Sequence, residues 1–390
     1  MNKTDLLFYA DPYARAFSAR VLACEGAGDK WHIVLDKTVF YPEGGGQPGD
    51  IGDIGGIDIF DTKIHGGIVT HIAAVPLEIG AEVAGNIDFD RRYRFMQNHA
   101  GEHIISGIAK ARYGANNVGF GLMESGMRID FDIEMDDAAL AEIEAECARA
   151  IELDLPIDAR FFDNADHLDY RSKKEISGDI RIVSIPNFDI CACAGMHVRT
   201  TLEIGIVKII SSQRYKGGTR IIALCGKDAA DDYANKHGQI AKISALLSAK
   251  PEECAAAAAK MAQDLAAARF RQGQLLRQIF DLKTASIPEN TPHACIFEPN
   301  LTPAEMQLLA NQATTRAQTA LIFSESADKI QYLLQTQTDT DLRPLSAALN
   351  AQFTGRGGGK PQSPQGLLQT TLDPLKIFLP TLLDNPHIIC

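Results

Sequence analysis

The chain has 390 residues, 45% hydrophobic and 23% charged, the balance of an ordinary globular protein. Its formal charge of −12 argues against nonspecific binding to polyanions and leaves nucleic-acid contact to local basic patches. No stretch approaches the about 20 apolar residues that span a bilayer, and Met1-Asn2-Lys3-Thr4-Asp5 has no apolar signal core. With eight cysteines, only Cys191 and Cys193 of them close in sequence, this predicts a cytoplasmic protein with reduced thiols.

Residues 1 to about 90 read as short β segments punctuated by Gly52, Gly55, Gly56, Gly66, Gly67 and Gly85, which suits a barrel-like all-β domain. Within it, Phe40-Tyr41-Pro42-Glu43-Gly44-Gly45-Gly46-Gln47-Pro48-Gly49-Asp50 is dense in glycine. Consecutive glycines let the backbone approach a ligand and present its N–H groups. The spacing fits neither a Walker A loop nor a dinucleotide fingerprint, and the run exceeds what a tight turn needs.

Near Phe95 the period becomes helical and continues to Gly114, a natural C-cap. Strands are expected at Val118–Leu122 and Met127–Ile133. A helix follows from Asp137 to about Leu153, then strands at Ile180–Ile185, Ile204–Ser211 and Thr219–Leu224, giving an α+β domain over 91–226. Residues 227–285 favour two long helices, the second starting near Pro251. From 286 to 390 a small α/β domain is expected, with strands at His293–Glu298 and Thr319–Ser324, a helix between them, and a glycine-rich loop from Gly355 to Gly366.

The strongest chemical signal joins two of these segments. His99 and His103 stand four apart on one predicted helix, so they share a face. Cys193 and His197 are also four apart, in Cys191-Ala192-Cys193-Ala194-Gly195-Met196-His197. Three imidazoles and a thiolate are a zinc donor set. Cys191 competes with Cys193 for the thiolate role, and the spacing to His197 favours Cys193. Four strong ligands would close the shell as in a structural site, whereas a labile one would open it for catalysis. Glu102, between the histidines, points to another helix face. Lys208, Arg214, Lys216 and Arg220 lie between Gly205 and Gly226 with no acidic residue among them, and are candidates for phosphate contacts.

Taken together, Phe40–Asp50, His99-x-x-x-His103 and Cys193-x-x-x-His197 resemble the editing domain of alanyl-tRNA synthetase, and more closely the free-standing AlaX trans-editing proteins. The resemblance covers about residues 1–226. The remainder resembles the C-terminal region of the synthetase, where a helical segment precedes a DHH-associated domain. The chain starts at the barrel with no aminoacylation domain ahead of it, the pattern of the long AlaX subtype. The expected fold class is therefore α+β multidomain: an N-terminal β-barrel (1–90), a zinc-binding editing domain (91–226), a helical hairpin or linker (227–285) and a small C-terminal DHH-associated-like α/β domain (286–390).

The resemblance implies ATP-independent hydrolysis of serine, and sometimes glycine, wrongly esterified to alanine tRNA. It implies Zn2+ at His99, His103, Cys193 and His197, and places Thr38 and Gln47 beside the aminoacyl group. Two departures stand out: Ala100 replaces a common threonine, and Cys193-Ala194-Gly195-Met196-His197 replaces C-G-G-T-H. A serine-selective site must demand the hydroxyl, because alanine is too small to exclude by size. Thr38 is the candidate for that demand, and the N–H groups of Gly45 and Gly46 for an oxyanion or the terminal ribose. Arg356 and Lys360 are candidates for the outer tRNA body. Two alternatives remain open: editing of seryl-tRNA(Thr), and a non-catalytic zinc-stabilised tRNA-binding protein. A homodimer through the helical segment or the C-terminal domain is a further expectation.

Overall fold

A computed structural model describes residues 3–163, 168–172, 180–326 and 329–389. The chain folds as two units, Met1–Ala245 and Leu246–Cys390. The boundary between them falls inside the stretch expected to link domains. Both units are mixed α+β.

The first unit opens with β1 (Asp5–Leu6), α1 (Leu7–Ala10), β2 (Ala16–Ala27), β3 (Lys30–Leu35), β4 (Lys37–Thr38), β5 (Gly52–Ile54), β6 (Ile57–His65), β7 (Ile68–Ala73) and β8 (Glu82–Ile87). Six of these strands close into a barrel in the order β2-β3-β7-β6-β5-β8. Alternation along the strands turns Val21, Ile33, Leu35, Ile54 and Ile59 into a common core with Phe40.

Next comes α2 (Phe89–Tyr113), longer than the helical period suggested because Asp88 accepts the Arg91 N–H at 3.0 Å and caps it. Gly114 ends it in the left-handed conformation at φ 72°. Every residue from Phe95 to Ala109 is buried, so α2 is a central helix with elements packed all around it. Around it lie β9 (Asn117–Leu122), β10 (Met127–Phe131), α3 (Asp137–Glu152), β11 (Asp158–Phe162), β12 (Ile180–Ile185), β13 (Asp189–Ala192), β14 (Val207–Tyr215), β15 (Gly218–Cys225) and α4 (Gly226–Leu247). The strands form two antiparallel sheets, β14-β15-β10-β9 and β11-β12-β13. Ile104, Ile105 and Ile108 of α2 join Ile143 and Cys147 of α3, Ile129, Val183 and Ile221 in one core.

The second unit comprises α5 (Cys254–Ala285), β16 (Thr291–Phe297), α6 (Pro303–Ala313), β17 (Ala317–Ser326), β18 (Lys329–Thr336), α7 (Arg343–Gln352), β19 (Arg356–Lys360), β20 (Ser363–Leu368), α8 (Leu372–Leu382) and β21 (His387–Ile389). Pro251 opens a single 3-10 turn ahead of α5. The sheet order is β19-β20-β18-β17-β16-β21, parallel at β16 and antiparallel elsewhere. One expectation is corrected here. The glycine-rich stretch from Gly355 is not a loop: residues 356–360 are an exposed edge strand paired with β20. Glycine leaves no side-chain signal of strand, and the pairing partner supplies the order instead.

No described helix is long and apolar enough to cross a membrane. The seven described cysteines form no disulfide.

Candidate metal centre

The central helix carries His99 and His103 one turn apart, with ring centroids 5.7 Å apart. The turn after β13 brings Cys193 and His197 against them. Cys193 Sγ lies 3.3 Å from His99 Nε2 and 3.6 Å from His197 Nε2. One donor atom from each of His99, His103, Cys193 and His197 lies within 4.8 Å of all the others. All four side chains are buried or nearly so.

Whether a metal fits is answered by the atoms that lack partners. His103 Nε2 and His197 Nδ1 are buried and make no hydrogen bond to a described residue, a costly state for polar atoms unless something else occupies the space. The outward nitrogens of His99 and His103 are satisfied. His103 Nδ1–H donates to Asp189 Oδ2 at 2.7 Å, and His99 Nδ1–H donates to Gln47 Oε1 at 3.0 Å. Both Nε2 atoms thereby face the cluster and offer their lone pairs there once deprotonated, the arrangement that ligating histidines adopt. Burial opposes ionisation of Cys193, but His99 and His197 beside it hold its thiol well below the usual range. Burial, with Glu102 and Asp189 nearby, pushes Cys191 up against the pull of Arg171, so Cys193 is the more readily ionised of the two thiols. Burial depresses His197 to about 3, which keeps it a neutral donor. The donor set fits a divalent metal ion.

Gln47 reaches this cluster from the glycine run. Its Oε1 also accepts the Met196 N–H at 3.1 Å, while its Nε2 is buried without a partner among the described residues. Gly44 N–H and Gln47 N–H each bond the other residue's carbonyl at 3.0 Å, with Gly45 and Gly46 at φ 59° and 83° between them. The run is therefore a tight turn of the type that two positive φ values produce. Its Gly45 and Gly46 N–H groups bond no described residue, and both glycines are exposed. A Cβ at Gly46 would stand 2.7 Å from the Phe120 ring, and one at Gly195 would stand 2.0 Å from His99 Cε1. Both positions exclude any side chain so that the two segments can close on the histidines.

Residues 180–222, which hold Cys193 and His197, match the family described as threonyl and alanyl tRNA synthetase second additional domain. Residues 14–91, the barrel, match the class II (A) tRNA synthetases. The alanyl-tRNA editing protein AlaX-L of Pyrococcus horikoshii is 34% identical over 232 residues, 56% of this chain and 57% of that protein. The chain is thus similar to alanyl-tRNA editing proteins over its first part. The alanine–tRNA ligase of Pyrobaculum neutrophilum is 29% identical over 96% of this chain and 44% of its own length. The alanyl-tRNA editing protein Aarsd1-B of Xenopus laevis is 27% identical over 78% of this chain and 79% of its own length. The chain thus spans about half the length of the first two relatives.

The remaining residues singled out in the sequence separate into engaged and unengaged groups. Thr38, on β4 beside the barrel, is fully buried. His71 Nδ1–H donates to the Ile33 carbonyl at 3.2 Å, so its Nε2 accepts the Thr38 hydroxyl at 2.8 Å, and Thr38 Oγ1 accepts the Phe40 N–H at 3.1 Å. Burial lowers His71 to about 4 and keeps it neutral. The basic patch is less available than its sequence suggests. Lys208 pairs with Glu144, Arg214 with Glu134 at 3.0 Å, and Arg220 with both Asp130 oxygens at 2.6 and 2.8 Å. These acids lie on other elements, which is why the local sequence looked purely basic. Lys216 sits at the hairpin tip with its ammonium over Tyr215. Arg356 and Lys360 are exposed on β19 and pair with no described acid.

Glu102 faces away from the cluster, accepting hydrogen bonds from Ser106 at 2.7 Å and from Asn117. Ala100 and Met196, the two departures, are fully buried in the main core, against which Cys193 also packs. Asn98 ties the helix in place: its Oδ1 accepts the Cys225 N–H at 3.0 Å and its Nδ2 donates to Asp228 at 2.8 Å. Asp189, His71 and Asp228 carried no sequence signal beyond their residue type.

Proposed function

We propose that this chain is a trans-acting, ATP-independent hydrolase that removes serine, with glycine as a second substrate, from mischarged alanine tRNA, and that its metal is zinc. The reading rests on one observation: a three-histidine, one-thiolate donor set with inward lone pairs stands beside a turn whose Gly45 and Gly46 N–H groups are unpaired. His99, His103, Cys193 and His197 would hold the ion. Bound there, it would supply Lewis-acid chemistry near the scissile ester.

The chain's own residues carry the other roles. Gln47 Oε1 fixes the His99 tautomer, and its unpartnered Nε2 is a donor for a substrate oxygen. The Gly45 and Gly46 N–H groups stabilise the oxyanion formed when water adds to the ester carbonyl, before the bond to the tRNA 3′ oxygen breaks. Thr38, held by His71 and the Phe40 N–H, keeps one lone pair for a serine hydroxyl that alanine does not offer. Lys216, Arg356 and Lys360, together with Lys208, Arg214 and Arg220, are the proposed phosphate contacts.

The test is deacylation of Ser-tRNA(Ala), Gly-tRNA(Ala) and Ala-tRNA(Ala) by purified protein, with Ser-tRNA(Thr) in parallel. Rapid loss of serine from alanine tRNA with alanine spared is the expected result. Cleavage confined to Ser-tRNA(Thr) would move the assignment to the threonine system. Binding of tRNA and zinc without any cleavage would leave a non-catalytic binding protein.

A further inference from the structure

The strongest unassigned feature lies behind the metal cluster. Asp189, the first residue of β13, does more than touch His103. Its Oδ1 accepts Arg171 Nε at 2.6 Å, and its Oδ2 accepts both Arg171 Nη2 and His103 Nδ1–H at 2.7 Å. Arg171 is pinned by its own backbone: its N–H donates to the Ile190 carbonyl at 2.8 Å, and its carbonyl accepts the Ala192 N–H at 2.9 Å. Its guanidinium also lies 4.0 Å from Glu102, which Ser106 and Asn117 hold from the far side. The fully buried imidazole of His103 thus receives its orientation from a chain of contacts that crosses α2, β9, β13 and the segment at 168–172.

We propose that Arg171, acting through Asp189, is a positioning residue for the metal, and that it fixes His103 so that Nε2 faces the other three donors. A carboxylate alone rotates about its Cβ–Cγ bond and can offer either oxygen. The two-pronged guanidinium removes that freedom, because both oxygens must stay in its plane. Held that way, Oδ2 keeps the Nδ1–H of His103 and leaves the Nε2 lone pair pointing inward. Neither residue belongs to the four-donor set of His99, His103, Cys193 and His197, although Asp189 also lies within ligating distance of His103 and Cys191. This inference rests on a metal occupying the cluster but not on what the protein hydrolyses.

Metal affinity decides it without tRNA. Asp189→Asn and Arg171→Met are compared with the wild-type chain by zinc competition against a calibrated chelator, and by the visible spectrum of the cobalt-substituted protein. The expected loss of zinc affinity is about 10–100-fold for Asp189→Asn and about tenfold for Arg171→Met. Arg171→Lys should recover part of it, and the cobalt bands should weaken in the same order. A merely structural ion pair predicts lower thermal stability with zinc affinity and cobalt bands unchanged, and that result overturns the proposal. Should Asp189→Asn fail to fold, Arg171→Met decides alone, since it leaves the carboxylate in place. Because no ester is cleaved in this experiment, a failed editing reading leaves the outcome intact.

Discussion

The metal cluster and the β14–β15 hairpin are two candidate sites within one unit, and their neighbours treat them oppositely. Around the cluster, Gln47 and Asp189 occupy the outward nitrogens and leave the His103 Nε2 atom without a partner. Around the hairpin, Glu144, Glu134 and Asp130 each take up a cation that the local sequence left unopposed. What a residue can bind depends on what the fold has already given it. The largest break in this contrast is removal of a donor. Cys193→Ala, which leaves three histidines, should bind zinc at least about tenfold more weakly and lose serine deacylation, because a closed site of this kind contributes about 10–16 kcal/mol of apparent binding energy in small domains. Gly195→Ala should act in the same direction through steric contact alone, since its Cβ would meet His99. Metal analysis of both purified variants, with thermal melts before and after chelation, reads this directly. Unchanged zinc affinity in Cys193→Ala would remove Cys193 from the donor set.

A buried ion pair offers the next sharpest contrast with the hairpin's exposed ones. Arg92 is fully buried and binds both Asp50 oxygens, the Pro12 carbonyl at 3.1 Å and the Val39 carbonyl at 2.7 Å. It joins the end of the glycine run to the histidine helix. Removing one partner of such a pair strands the other without solvent, so Arg92→Ala should cost about 3–5 kcal/mol in urea denaturation. A cost near that of a surface substitution would mean that the glycine run is held on α2 by other contacts.

These contrasts also show what the sequence could and could not disclose. The histidine helix was legible because its apolar period, its capping glycine and its two histidines all reported the same geometry at short range. The meeting of that helix with Cys193 was legible only as a donor-type argument, since nothing local places residues almost a hundred positions apart. Asp189 lay hidden for the same reason: an aspartate in a strand-like run carries no sign that it faces a histidine on another element. Gly357-Gly358-Gly359 misled in the other direction, because an edge strand ordered by its neighbour needs no β-forming residues of its own. The cations at 208–220 misled because ion pairing across a fold leaves no mark on local composition.

The barrel supplies a pH-dependent counterpart. His71 is neutral and depressed to about 4 when folded, against about 6.5 in an unfolded chain. Between these values the unfolded state binds the extra proton, so the contribution is complete above about 6.5 and is lost as pH falls toward 4. From pH 7 to pH 5 the wild-type chain should lose about 2 kcal/mol more than His71→Gln, whose side-chain carbonyl can still accept the Thr38 hydroxyl. Parallel pH profiles would refute a neutral His71. Thr38→Val in the same barrel should narrow the preference for serine over alanine in the deacylation assay, if its remaining lone pair meets the substrate hydroxyl.

The smallest expected effects separate the hairpin cations from one another. Arg214 is 85% exposed despite its acid partner, and Lys216 is at the tip, whereas Arg220 is 19% exposed and held by both Asp130 oxygens against the Tyr215 ring. If the hairpin touches tRNA phosphates, Lys216→Gln and Arg214→Gln should each lower the slope of log affinity against log salt by about one, while leaving thermal stability unchanged. Arg220→Gln should do the reverse, lowering stability with little change in slope, because its guanidinium must leave Asp130 before it can reach a phosphate. Equal slope losses for all three would show that RNA competes successfully for a paired cation, and the contrast between the hairpin and the metal cluster would then lie in how readily each gives up its protein partners.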